Sequence, residues 1–229
     1  MKIKNIFRRY EQKYVIPPKI AEKVRLEAEK YMTEDEFGET DILNVYYDTP
    51  DNRLIRNSIE KPTVYKEKLR LRCYGVPSDD SKAFIELKKK FDSVVYKRRI
   101  SLPYAEAVKA LETGQLHDTQ IGREVEYFLS FYKTIKPAMT ISYHRRAYVQ
   151  GDFRMTFDSN ILFRTENLDL RNGITGEKVT DMVIMELKSP TAIPFWCLKI
   201  LSQYQIRKVP FSKYGTAYKL TKGANNNNG

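Results

Sequence analysis

Between residues 63 and 102 apolar and charged side chains alternate with a period of two. Lys66, Lys68, Arg70 and Arg72 fall on one face of an extended chain, with Leu69 and Leu71 on the other. A helix would scatter those four cations around its axis, so the spacing predicts a strand over 63–74. The alternation returns over 82–91, where Glu86, Lys88 and Lys90 oppose Ile85 and Leu87. It returns again over 94–102, where Lys97 and Arg99 fall together, which makes a three-strand meander. Further strands are predicted at 6–16 (Arg9, Glu11 and Lys13 on one face), 43–47, 140–149 (Tyr143 and Arg145), 153–163 (Arg154, Thr156 and Asp158) and 179–189 (Glu186 and Lys188). Gln150-Gly151-Asp152 is a hairpin turn, because glycine supplies the positive φ that a tight turn requires.

Helical spacing takes over at 19–31, through Ile20, Val24, Ala28 and Tyr31. It also occurs at 104–112 behind Pro103, at 118–133 and at 194–205, and a short helix opens at 211. Asp48-Thr49-Pro50 is a turn signal, and Asp51 is placed to cap a short helix toward Asn57. Residues 167–178 form a loop. Eight strands, mostly in antiparallel succession, with flanking helices give an α+β chain. A single domain is expected over 1–222, with a disordered Asn-rich tail over 223–229.

The balance of 40 Lys and Arg against 29 Asp and Glu gives a formal charge of +11. Such a chain favours anionic partners, yet the cations are spread along it and form no basic tail. Two cysteines without metal-ligand spacing and two histidines argue against a thiolate or histidine metal site and against histidine acid–base chemistry. The first residues lack the apolar core of a signal peptide, and no apolar run reaches the roughly 20 residues of a membrane span. A cytoplasmic protein is expected. The 16 tyrosines could stack on bases, but most fall at core-facing positions, so no specific nucleic-acid partner is expected.

The strand faces with ionisable residues suit either a sheet with one face in water or a barrel with a charged lumen and helices outside. A lumen requires neutralised cations, and a chain of phosphates would neutralise them. The carboxylates Glu11, Glu86, Asp158 and Glu186 share these faces. They are either internal ion-pair partners of the cations or donors to a divalent metal bridging to phosphates.

A set of short motifs runs through these strands. It comprises Arg9-Tyr10-Glu11-Gln12-Lys13-Tyr14, Tyr46-Tyr47-Asp48-Thr49, Lys68-Leu69-Arg70-Leu71-Arg72-Cys73-Tyr74, Ile85-Glu86-Leu87-Lys88 and Lys97-Arg98-Arg99. The set continues with Ser142-Tyr143-His144-Arg145-Arg146-Ala147-Tyr148, Arg154-Met155-Thr156-Phe157-Asp158, Met185-Glu186-Leu187-Lys188 and Phe211-Ser212-Lys213-Tyr214. In order and spacing, from about residue 6 to 220, the chain resembles the polyphosphate polymerase domain of the vacuolar transporter chaperone (VTC) family, within the triphosphate tunnel metalloenzymes.

The resemblance implies an eight-stranded antiparallel β-barrel tunnel with a charged lumen, flanked by helices. It implies a catalytic set of Lys13, Arg70, Arg72, Lys88, Arg145 and Lys213. Further phosphate contacts would come from Lys68, Lys97, Arg99, Tyr143, Arg154, Lys188 and Ser212. Glu186, with Glu11, would hold Mn²⁺ or Mg²⁺. The implied reaction passes the γ-phosphoryl group of ATP to a growing polyphosphate chain. Hydrolysis of tripolyphosphate or nucleoside triphosphates in the same tunnel is the alternative, as is a polyphosphate-binding module without turnover. Arg9 stands where the related CYTH branch has the first Glu of Glu-x-Glu-x-Lys, which departs from a two-metal hydrolase. No stretch resembles the SPX sensor or the membrane segments of the eukaryotic assemblies, so a membrane partner would be encoded separately. Replacing Arg70 or Arg145 by alanine is expected to weaken phosphate binding and leave the fold intact.

Overall fold

A computed structural model of the chain describes residues 10–59, 64–92 and 94–226. Arg9 and the start of the first expected strand lie outside the described residues. The strands are β1 (Tyr10–Ile16), β2 (Thr33–Asp48), β3 (Tyr65–Tyr74), β4 (Lys82–Phe91), β5 (Val94–Pro103), β6 (Lys136–Gln150), β7 (Phe153–Arg164), β8 (Glu177–Thr180) and β9 (Val183–Ser189). The helices are α1 (Pro18–Ala28), α2 (Arg53–Ile59), α3 (Tyr104–Thr113), α4 (Gln120–Tyr132), α5 (Phe195–Gln203) and α6 (Lys213–Asn226). The strands are ordered β1-β9-β7-β6-β2-β3-β4-β5, and β8 pairs with β7 off that path. The class is α+β, with an antiparallel sheet and flanking helices, as the sequence predicts.

Three expectations change. The short strand at 43–47 is the end of β2, which starts ten residues earlier. The strand at 179–189 is two strands, broken at Asp181 and Met182. The final helix is long, running through Asn226 into the stretch expected to be a disordered tail. The hairpin glycine behaves as expected, with Gly151 at φ +56°.

Prolines punctuate the helices. Pro18 sits in the first turn of α1, and Pro103 and Pro194 immediately precede α3 and α5. Each fixes φ where its missing N–H is no loss.

The chain groups into two compact units. The first comprises 1–40, 143–161 and 180–212; the second comprises 41–142, 162–179 and 213–229. Each has its own apolar core. In the first, Tyr14, Ile16, Met155, Met185 and Leu187 from the strands pack on Val24, Ala28, Cys197 and Ile200 from α1 and α5. In the second, Leu69, Leu71, Ile85 and Leu87 pack beneath Ala107, Leu111, Val125 and Phe128 of α3 and α4. In the middle of β3 and β4 the alternation works as a one-sided device: Leu69, Leu71, Ile85 and Leu87 enter the core, and Lys68, Arg70, Glu86 and Lys88 face the other way.

Candidate functional site

The second unit carries the densest charge. Its register places Tyr46, Arg70, Glu86 and Arg99 in one row across β2, β3, β4 and β5. The next row holds Lys68, Lys88 and Lys97 directly opposite one another, and the row beyond pairs Lys66 with Lys90. On the other side Asn44 stands opposite Arg72.

Glu86 is the hub, with its side chain only 2% exposed. Arg70 Nε donates to Glu86 Oε2 at 2.7 Å, and Arg99 Nε donates to Oε1 at 2.7 Å. Lys97 Nζ lies 2.7 Å from Oε1, and Arg72 Nε is 3.9 Å from Oε2. Burial pushes the Glu86 carboxyl up, but Arg70, Arg72 and Lys97 outweigh burial and hold it well below the usual carboxylate range. Glu86 is therefore an internal ion-pair partner, one of the two roles open to these carboxylates from sequence.

One carboxylate cannot balance this face, and the surplus shows in the lysines. Lys97 is brought down to about 8, by burial first and against the pull of Glu86. Lys68 is lowered by burial and by the like charges of Lys88, Arg70 and Lys66. The Tyr46 hydroxyl, pushed up by burial, is drawn down to about 8 by Arg70, Lys68 and Arg72. Arg70 Nη1 donates to that hydroxyl at 3.1 Å.

Side chains with no role in the sequence prediction hold these cations. Asn44 Oδ1 accepts from Arg72 Nε at 2.9 Å, while Asn44 Nδ2 donates to the Ile141 carbonyl at 2.8 Å. The Tyr46 ring stacks on Tyr214 of α6, with centroids 4.4 Å apart. Tyr214 in turn donates to Asp48 Oδ2 at 3.0 Å. Buried Asp48 also accepts from the backbone N–H groups of Thr49, Leu54 and Ile55, so it caps α2. The expected cap, Asp51, instead accepts from the Thr49 hydroxyl, and that hydroxyl accepts from Arg53 N. Lys213, adjacent to Tyr214, opens α6 and is half-buried.

In the first unit the charges are matched. Lys13, Glu186 and Thr156 form one register row across β1, β9 and β7; Glu11, Lys188 and Arg154 form the next. Arg145 grips fully buried Asp158 with both prongs, Nε to Oδ1 at 2.7 Å and Nη2 to Oδ2 at 2.8 Å. The Arg145 guanidinium also lies over the Tyr143 ring, 5.3 Å from its centroid. Arg154 pairs with Asp35 of β2, an acceptor in the acidic stretch that the sequence reading left outside any strand. Lys188 Nζ is 3.5 Å from Glu186 Oε2. Lys13 Nζ donates to the Phe211 carbonyl at 3.4 Å, which brings the segment before Ser212 to β1.

Among the described residues no three His, Cys, Asp or Glu side chains gather into a metal cluster. The donor set in the first unit is buried Glu186, with Glu11 one register row away. A single buried carboxylate suits Mg²⁺ or Mn²⁺ held chiefly by substrate phosphate oxygens, and does not suit a protein-built cage.

The VTC domain family matches residues 8–222 of this sequence. The chain belongs to the VTC domain family. Its fold is also that of several solved structures. A candidate adenylate cyclase from Bacillus halodurans aligns with a TM-score of 0.57 at 18% identity, covering 88% of this chain and 92% of that one. One from Vibrio parahaemolyticus aligns at 0.53 and 12% identity, covering 93% and 98%. HpAC1 from Hippeastrum, described as a candidate adenylyl cyclase with a dominant triphosphatase activity, aligns at 0.53 and 13% identity, covering 89% and 92%. No curated protein matches the sequence. The VTC match agrees with the triphosphate tunnel metalloenzyme resemblance read from the sequence. No described helix of this VTC domain is long and apolar enough to cross a membrane.

Proposed function

We propose that this VTC domain is a metal-dependent polyphosphate polymerase that uses ATP. The observation that carries this reading is the row of Lys68, Lys88 and Lys97, three cations side by side on adjacent strands. Like charges directly opposite each other destabilise a sheet, and an anionic chain laid across the row converts that repulsion into binding. A terminal polyphosphate oxygen attacks the γ-phosphorus of ATP, the bond to the β–γ bridging oxygen breaks, and ADP leaves. The attacking oxygen is already ionised, so the protein supplies position and charge and needs no general base. Lys68, Lys88 and Lys97 hold the phosphates, and Arg70 and Arg72, fixed by Glu86 and Asn44, face the charge that develops on the leaving oxygen. Glu186 of the first unit is the carboxylate that would hold the divalent ion.

The test is electrophoresis of products from purified protein with ATP, with and without Mn²⁺, stained for polyphosphate. A Mn²⁺-dependent ladder is expected. Orthophosphate without chains longer than triphosphate would favour a triphosphatase, the reading that the activity of the Hippeastrum neighbour supports. Unchanged ATP would overturn both readings for the isolated chain.

A further inference from the structure

Resting on the reading of this domain as a polyphosphate-binding enzyme, we propose that Thr156 is a further phosphate-binding residue. Its hydroxyl and Nε of Arg154 together form a pair of donors for successive phosphates of the chain. Both atoms are fully buried and have no hydrogen-bond partner among the described residues. Arg154 and Thr156 are two positions apart on β7, so they share a face, and the extended backbone sets them roughly 7 Å apart along the strand.

The surroundings are those of a ligand site. Thr156 stands directly opposite Glu186, with Lys13 next in the row, and Arg154 stands opposite Lys188. On its other side along β7 is Asp158, already held by Arg145. Thr140 and Ser142 also carry buried hydroxyls without partners, but Thr156 is distinguished by the charged row that contains it.

Packing alone gives no reason for a hydroxyl here. Valine has the same shape and a higher preference for a buried strand, and it would leave no polar atom unpaired. A polyphosphate chain presents acceptors along its whole length and can take both donors at once. Threonine also donates without adding charge, so it adds affinity without disturbing the balance of cations and carboxylates around it.

Isothermal titration of the full chain with inorganic tripolyphosphate in EDTA, for wild type, Thr156→Val and Thr156→Ser, tests this. Thr156→Val is expected to bind about tenfold more weakly, the effect of one hydrogen bond to a charged acceptor, with an unchanged or higher melting temperature. Thr156→Ser should bind within about twofold of wild type, because it keeps the hydroxyl. If wild type binds and Thr156→Val binds equally well, the inference falls while the proposed function stands. A Thr156→Val that melts lower but binds normally would assign the hydroxyl to a structural water and overturn it too. Loss of binding in both variants would show that the hydroxyl is not the determinant. If wild type itself fails to bind tripolyphosphate, the functional reading falls first.

Discussion

On β3, β4 and β5 of the second unit the polar face sets nine cations (Lys66, Lys68, Arg70, Arg72, Lys82, Lys88, Lys90, Lys97 and Arg99) against one carboxylate, Glu86. The first unit sets Lys13, Arg145, Arg154 and Lys188 against Glu11, Asp35, Asp158 and Glu186, four against four. The same strand alternation thus builds two different electrostatic objects. In the first unit these charges balance, and several of them are held by each other. The second carries a surplus of cations, which the proposed phosphate chain would offset. A cation has a different role in each, although the sequence writes both as an Arg or Lys on a strand face.

The largest test of this contrast is a pair of arginines. Arg145→Ala removes the two-pronged cationic partner of fully buried Asp158, which should cost about 3–5 kcal/mol in urea unfolding. Arg70→Ala leaves Glu86 with Arg99 and Lys97, so its cost should stay near 1 kcal/mol or below. Tripolyphosphate affinity should nevertheless fall by about tenfold or more when Arg70 is lost. This revises the sequence-based expectation that both arginines could be removed with the fold intact. Equal stability losses in the two variants would dissolve the distinction between the units.

A smaller effect is expected from pH. Lys97 titrates at about 8, and a bound phosphate would raise that value, so binding takes up a proton. Affinity should be full below pH 8 and decline above it, and ionisation of Tyr46 at about 8 acts in the same direction. Stability responds with the opposite sign. Between about 8 and the ordinary value of 10.5 the unfolded chain binds the Lys97 proton more tightly, so this residue's contribution rises with pH. Titrating tripolyphosphate between pH 7 and 9.5 into wild type and Lys97→Gln would check it, since the variant should show a flatter profile.

The smallest expected change is a gain. Lys88→Gln removes the middle charge of the lysine row and should stabilise the domain by a few tenths of a kcal/mol while weakening phosphate binding. A melting temperature that falls would mean that the row is held by contacts that a neutral side chain cannot replace.

The meander β3–β4–β5 was legible because its central side chains alternate with a period of two, which gave the strands and the face of each. The start of β2 was not. Thr33-Glu34-Asp35-Glu36 is acidic and has poor strand propensity, so its extended form is set by tertiary pairing. Missing that strand meant missing Asp35 as the partner of Arg154. Asn44 could have been found, since it is two residues from Tyr46 on the same face. Asp48 is a different case. A carboxylate in an Asp-Thr-Pro turn signals a cap, but its bond to Tyr214 joins positions 166 residues apart, and no local pattern encodes that. Of the candidate site, the residue types and the strand faces were readable; the rows across strands, and which charges already neutralise one another, required the register.

The Asp48–Tyr214 bond also bears on how the protein is made. Tyr46 and Arg70 belong to the first third of the chain, yet the ring that packs on Tyr46 comes from the last helix. Lys13, near the amino terminus, meets Glu186 and the Phe211 carbonyl. On the ribosome both units therefore wait, unfinished, for the carboxy-terminal segment to emerge. A nascent chain displays its basic strands before the groups that order them exist, and the ribosome is itself built of polyanion. A chain that stops before Tyr214 keeps the charge and lacks the ring that packs on Tyr46 and the hydroxyl that bonds Asp48.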